Sequence, residues 1–192
     1  DRDQRGMELP SGIVKWYVEV FDVEDELVAI ATILTMVQKK QTEFIEMTTE
    51  KIKDCLSRLT TSSKPAWGPM SPQHMAEHLE YTYLIASGEI QDFDVATPDK
   101  FLEKVQETLY NYKPMPQNYD FPLSKKLKKL KYENLETAKI KLLEARDGYL
   151  EFFKEYPEAK TKNVVFGPLN KFEWYLLERK HLNHHFKQFD LL

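Results

Sequence analysis

The chain has 192 residues, 42% of them hydrophobic and 30% charged, enough to bury one good core with a small appendage, and its net charge of −4 argues against nucleic acid as the main partner, since phosphate affinity needs a basic surface. Its single cysteine, Cys55, excludes an internal disulfide and fits a reducing compartment. No apolar stretch is long enough to cross a bilayer and Asp1-Arg2-Asp3-Gln4-Arg5 carries no signal-peptide pattern, so the expected setting is the cytoplasm with no membrane partner.

The chain starts at Asp1 without an initiator methionine and enters strand-like sequence almost at once, as a piece cut from a longer polypeptide would. From Gly12 to Gln38 the period is two. Val14, Trp16, Val18 and Val20 alternate with Lys15, Tyr17 and Glu19, and the acidic segment Asp22 to Glu26 leads into Leu27 to Val37, rich in Val, Ile and Thr. This spacing predicts a β-hairpin, marginal by itself and in need of a further sheet, a second copy or a helical cover.

Past Lys40 the period becomes helical. Thr48 or Thr49 caps a first helix carrying Ile52, Leu56 and Leu59, and Thr60 to Pro65 ends it. Ser71, followed by Pro72 at the first helical position, opens a second helix running to about Ser87. Thr97-Pro98-Asp99 opens a short helix through Leu109, after which Pro114, Pro116 and Pro122 forbid regular structure to about Ser124. The basic run Lys125 to Lys131 reads as a solvated loop or helix face. A third long helix is expected from about Tyr132 to Tyr156 on Leu135, Leu142, Leu143, Leu150 and Phe153, stopped by Pro157. The last runs from Asn170, with Glu173 three residues on, to about Phe189. The expected architecture is mainly α: a four-helix bundle over 41–192 with one long crossover, behind an N-terminal hairpin in 1–40.

All five histidines fall in two of these helices: His74 and His78 in the second, His181, His184 and His185 in the last. Residues four apart share a helix face, so His74/His78 and His181/His185 each present two imidazoles in one direction. Counted from their caps, His78 is seven residues in and His181 eleven, which at 100° per residue returns both to nearly the same face. Two such helices facing each other can share one ion. His184 points about 100° from His185. Glu178 and Gln188 stand near the histidine face as residues that would orient ligands. Tyr81 and Trp174 are near enough to line a pocket, Glu77 is expected to be exposed, and Cys55 to be a small core residue. Six glycines with no cluster, and no nucleophile arrangement, set aside phosphate-loop, dinucleotide and serine or cysteine hydrolase chemistry.

The residues Trp67-Gly68-x-Met70-Ser71-x-x-x-Met75-x-Glu77-His78-Leu79, with Phe166-Gly167-Pro168-Leu169-Asn170-x-x-Glu173-Trp174 and Lys180-His181-Leu182-x-His184-His185-x-x-Gln188-Phe189, resemble the DinB-like superfamily of metal-binding four-helix bundles over about Thr42 to Leu192. The resemblance implies a divalent ion on His78, His181 and His185, with His74 outside the pattern as a candidate fourth ligand; all-imidazole ligation points to zinc or nickel as the metal. Separately, V-K-W-Y-V-E-V and A-I-A-T-I-L-T-M-V within Gly12 to Gln38 look like the closing strand pair of a MaoC-type hot-dog domain, as at the end of phenylacetate-degradation proteins that process CoA thioesters. That implies a CoA-pathway parent polypeptide as the natural partner and no hydratase activity in this chain, which lacks the rest of the hot-dog site. Some DinB-like proteins use the metal for hydrolysis or group transfer. The alternative from another class is a non-catalytic bundle for oligomerisation or docking, with homo-oligomerisation through the hairpin edge.

Overall fold

The computed structural model describes residues 11–38, 44–111, 113–117, 127 and 129–192. Much of the proline-rich stretch, with Pro122 and Ser124, and Lys125, Lys126 and Lys128 of the basic run lie outside them. The protein is mainly α, with five helices and two two-stranded antiparallel ribbons among the described residues. It divides into two compact units, Asp1–Thr42 and Glu43–Leu192.

In the first unit, β1 (Ser11–Phe21) pairs with β2 (Leu27–Gln38), in register from Ser11 opposite Gln38 to Phe21 opposite Leu27, with one irregularity between Val20 and Phe21. The acidic segment turns because Asp22 Oδ1 accepts the backbone N–H groups of Glu24 at 2.8 Å and Glu26 at 3.0 Å, while Asp25 takes the left-handed φ of 61° that a short polar side chain tolerates. Trp16 Nε1 donates across the ribbon to Thr35 Oγ1 at 3.1 Å. Trp16, Tyr17, Ile30, Ile33 and Leu34 are all exposed, so the ribbon buries little. We therefore expect removal of residues 1–40 to leave the cooperative thermal melt of the helical unit in place, followed by circular dichroism at 222 nm; loss of that melt would show that the hairpin is part of its core.

In the second unit, α1 (Thr49–Arg58) is capped by Thr48 and buries Ile52, Cys55 and Leu56. Cys55 is fully buried, as expected of a small core residue, with its thiol 3.4 Å from the Leu191 carbonyl. Next come α2 (Pro72–Ala86), capped by Ser71, and α3 (Asp99–Glu107), a short helix with no buried residue. Then follow α4 (Leu135–Glu155), capped by Asn134, β3 (Thr161–Asn163), β4 (Gly167–Leu169), and α5 (Lys171–Gln188). On α5 the Asn170 side chain accepts from Glu173 N and the Glu173 carboxylate accepts from Asn170 N. Helix α2 lies along α4 and also meets α5. Tyr83, Leu142, Phe153, Trp174 and Phe186 are among the fully buried side chains between them.

The twin aromatic-Gly-Pro-apolar motifs share a backbone device. Gly68 and Gly167 sit at φ 72° and 66°, a region closed to most side chains, and each turns the chain just ahead of a helix cap, Ser71 or Asn170. At Gly167 an added Cβ would meet Leu102 Cδ2 at 3.2 Å, so the missing side chain also lets α3 close on β4.

Three expectations need correction. The third long helix starts at Leu135 rather than Tyr132, because Asn134 is extended and caps it, its side chain accepting Thr137 N at 2.9 Å, while Lys131 N and Tyr132 N ahead of the cap donate to the Glu77 carboxylate of α2 at 2.7 and 3.1 Å. Glu77 is accordingly half-buried rather than exposed, and also accepts from Gln73 Nε2. Leu150 is exposed, on the outer side of α4. The short β3–β4 ribbon was not expected, since three residues per strand are too few to display a period.

Candidate metal centre

Helix α2 supplies His78 and helix α5 supplies His181 and His185, and their ligand nitrogens all lie within 4.8 Å of one another. His78 Nε2 is 2.8 Å from His181 Nε2, and His185 Nε2 is 3.0 Å from it. His181 and His185 are buried and His78 half-buried.

Hydrogen bonding fixes which nitrogen of His185 is bare. Gln188 Nε2 must donate to the Trp67 carbonyl, 2.8 Å away, which turns Gln188 Oε1 toward His185 Nδ1 at 2.8 Å. An amide oxygen only accepts, so the proton of His185 sits on Nδ1 and its Nε2 offers a lone pair to the cluster. Gln188 thus holds the His185 ring and anchors it to the loop ahead of α2. A single proton on His181 Nε2 would have to be shared between two acceptors in different directions. A cation in the proton's place can be met by all three nitrogens.

Glu178 gives the second sign. Its side chain is buried one turn before His181, with Oε2 4.0 Å from His181 Nδ1, and neither carboxylate oxygen has a hydrogen-bond partner among the described residues. Burial raises its pKa to about 8. Burial, and then the neighbouring imidazoles His185 and His78, hold His181 well below the ordinary range; burial followed by His78 does the same to His185. Without an ion, acid and imidazole are thus both favoured neutral, and the 4.0 Å approach is not an ion pair. A divalent ion held by the imidazoles would supply the charge that this acid lacks, and would favour a proton on His181 Nδ1 facing it. The donor set and its surroundings therefore fit a metal.

The other histidines stand apart. His74, the candidate fourth ligand, is not in the cluster: at the third position of α2 its Nδ1 closes on the cap hydroxyl Ser71 Oγ at 2.7 Å. His184 points elsewhere, edge-on to Trp67 with ring centroids 5.4 Å apart. Burial lowers its pKa, opposed by a backbone hydrogen bond at Met115. Trp174 is fully buried core rather than a pocket wall, whereas Tyr81 is half-buried against the core.

Two features escaped the sequence reading. The buried carboxylate of Glu80 receives the Tyr132 hydroxyl and Lys131 Nζ, the latter at 2.9 Å, so Glu77 and Glu80 together strap the segment ahead of α4 to α2. A cavity of about 380 Å³ opens beside His184, walled by Phe44, Trp67, Met115 and the α5 residues Lys180, Asn183 and Lys187. Both join segments far apart in sequence, which no local pattern reports.

No family model, curated protein or solved structure matches the chain.

Proposed function

We propose that residues 43–192 form a DinB-like four-helix bundle built on α1, α2, α4 and α5, and that His78, His181 and His185 hold one divalent transition ion. All-imidazole ligation suits zinc or nickel. The observation that carries this reading is the convergence of three Nε2 atoms, with the tautomer of His185 set by Gln188 and an unpartnered buried acid behind His181. Three protein ligands leave a coordination position for water or substrate, and a metal so bound lowers the pKa of its water to about 7. That chemistry suits hydrolysis or group transfer. The chain's own part is to keep His185 and His181 in the right tautomers, and to leave the His78 side less buried than the other two. Dialysis of the protein against zinc or nickel salts at neutral pH, then elemental analysis, should give one ion per chain. A stoichiometry near zero for both metals would remove the reading.

The parent polypeptide would belong to CoA-thioester catabolism of the phenylacetate type, with β1 and β2 as the closing strands of a MaoC-like hot-dog domain. The support is the period-two hairpin with open apolar faces. The chain by itself should then fail to hydrate an enoyl-CoA whether or not metal is added; turnover in a spectrophotometric hydratase assay would show that the hairpin is something else. A second reading, a non-catalytic oligomerisation or docking bundle with a structural ion, is favoured by the burial of His181 and His185. In that case removing the metal would lower the melting temperature without any activity being found to lose.

A further inference from the structure

An unusual cation, Lys180, is among the residues that line the cavity beside His184. Lys180 is only 5% exposed, and among the described residues it makes no ion pair. Its Nζ donates to the Thr108 carbonyl at 2.6 Å and to Asn111 Oδ1 at 3.0 Å, both neutral acceptors, and lies 5.6 Å from the ring centroid of Phe44. An ammonium has three N–H bonds, and the third meets no oxygen or nitrogen acceptor among the described residues, only the face of the Phe44 ring. Burying such a group is costly unless an anion completes it. The polar groups of neighbouring Asn183 are already spent: its Oδ1 accepts Ile45 N, and its Nδ2 donates to the carbonyls of Ile45 and Arg179. Phe44, Trp67, Pro114, Met115 and Pro116 form the apolar part of the wall, Gln117, His184 and Lys187 complete it, and the volume of about 380 Å³ suits a ligand of one or two rings or a short acyl chain.

We propose that this cavity is a binding site for a small amphipathic carboxylate, its apolar body against Trp67, Phe44 and Met115 and its anionic head toward Lys180. The site stands apart from the histidine cluster, none of whose three members lines it, and it requires no metal. An aromatic or acyl carboxylate fits better than an inorganic anion, because Phe44, Pro114, Met115 and Pro116 offer no donor and would face an inorganic anion with bare apolar surface.

The test uses 2-naphthoate and its neutral isostere 2-naphthamide, titrated calorimetrically into the full chain in the presence of a chelator. The carboxylate should bind about ten- to a hundredfold more tightly than the amide, the range of one charge-assisted hydrogen bond. Lys180→Met should bring the two ligands to equal affinity, and Met115→Trp, which fills the cavity from another wall, should abolish binding of both. His181→Ala should bind 2-naphthoate as the wild type does. Equal affinity for acid and amide in the wild-type chain, or full naphthoate affinity in Met115→Trp, would overturn the proposal. Loss of naphthoate binding in His181→Ala would also overturn it, by placing the ligand at the histidines. Because the measurement is made without metal, its failure leaves the metal reading untouched, and the reverse holds too.

Discussion

Replacing His78 or His181 with alanine should abolish stoichiometric metal and leave the helices folded. Each change reduces three converging imidazoles to two, and an exchangeable divalent ion on two neutral nitrogens does not survive dialysis against a chelator. The fold should persist because Trp174, Tyr83, Phe153, Leu142 and Phe186 are fully buried apart from the ligands, and burial of each such side chain stabilises by about 1.5–3 kcal/mol. His184→Ala should keep its metal, since that ring stacks edge-on to Trp67. Gln188→Ala should retain binding with affinity lowered about 10–100-fold, as expected when the partner that orients a ligand is lost. Occupancy of the wild type should hold through about 6.5 and fall only at lower pH, because protons compete for the same nitrogens and burial keeps His181 and His185 neutral well below the ordinary imidazole range. Elemental analysis with circular dichroism on these variants decides the matter. Metal content in His78→Ala equal to that of the wild type would leave the docking module as the better account.

The helices were legible because their signals are local. Ser71-Pro72 and Asn170-x-x-Glu173 fix two starting points, and counting from them puts His78 and His181 at nearly the same angle about their own helices; the structure brings them to 2.8 Å. His74 failed for a reason equally local. A histidine three residues after a serine cap has a hydroxyl within reach of its ring, and that hydrogen bond competes with any distant ion. What remained hidden depends on tertiary approach. Glu77 looked like a surface acid on its own helix and is instead the acceptor for the backbone of Lys131 and Tyr132. Nothing in the sequence sets Lys180 apart from the other lysines of α5, and its acceptors, Thr108 and Asn111, come from a distant segment. Glu178 stands out in the sequence for its position beside His181, yet that no donor among the described residues reaches its carboxylate emerges only from the packed structure.

That unpartnered acid should set the pH dependence of the metal-free protein. The folded pKa of Glu178, about 8, lies above its unfolded value of about 4.3, so its contribution is fully present at low pH and is lost as pH rises toward 8. His181 and His185 act in the opposite sense: their folded pKa values are depressed, so their contribution is complete above about 6.5 and is lost as pH falls below it. Below about 6.5 the two effects oppose each other, and between about 6.5 and 8 the acid acts without them. Stability of the metal-free chain should therefore fall by about 2 kcal/mol over that window, at the linkage slope of about 1.4 kcal/mol per pH unit for one proton. Glu178→Gln keeps the shape and removes the proton, so its urea midpoint should stay level where that of the wild type declines. With zinc bound the wild-type decline should disappear, because the cation compensates the carboxylate across His181. An equal decline in Glu178→Gln and wild type, measured by urea unfolding in chelator, would show that the buried acid is not the group being titrated.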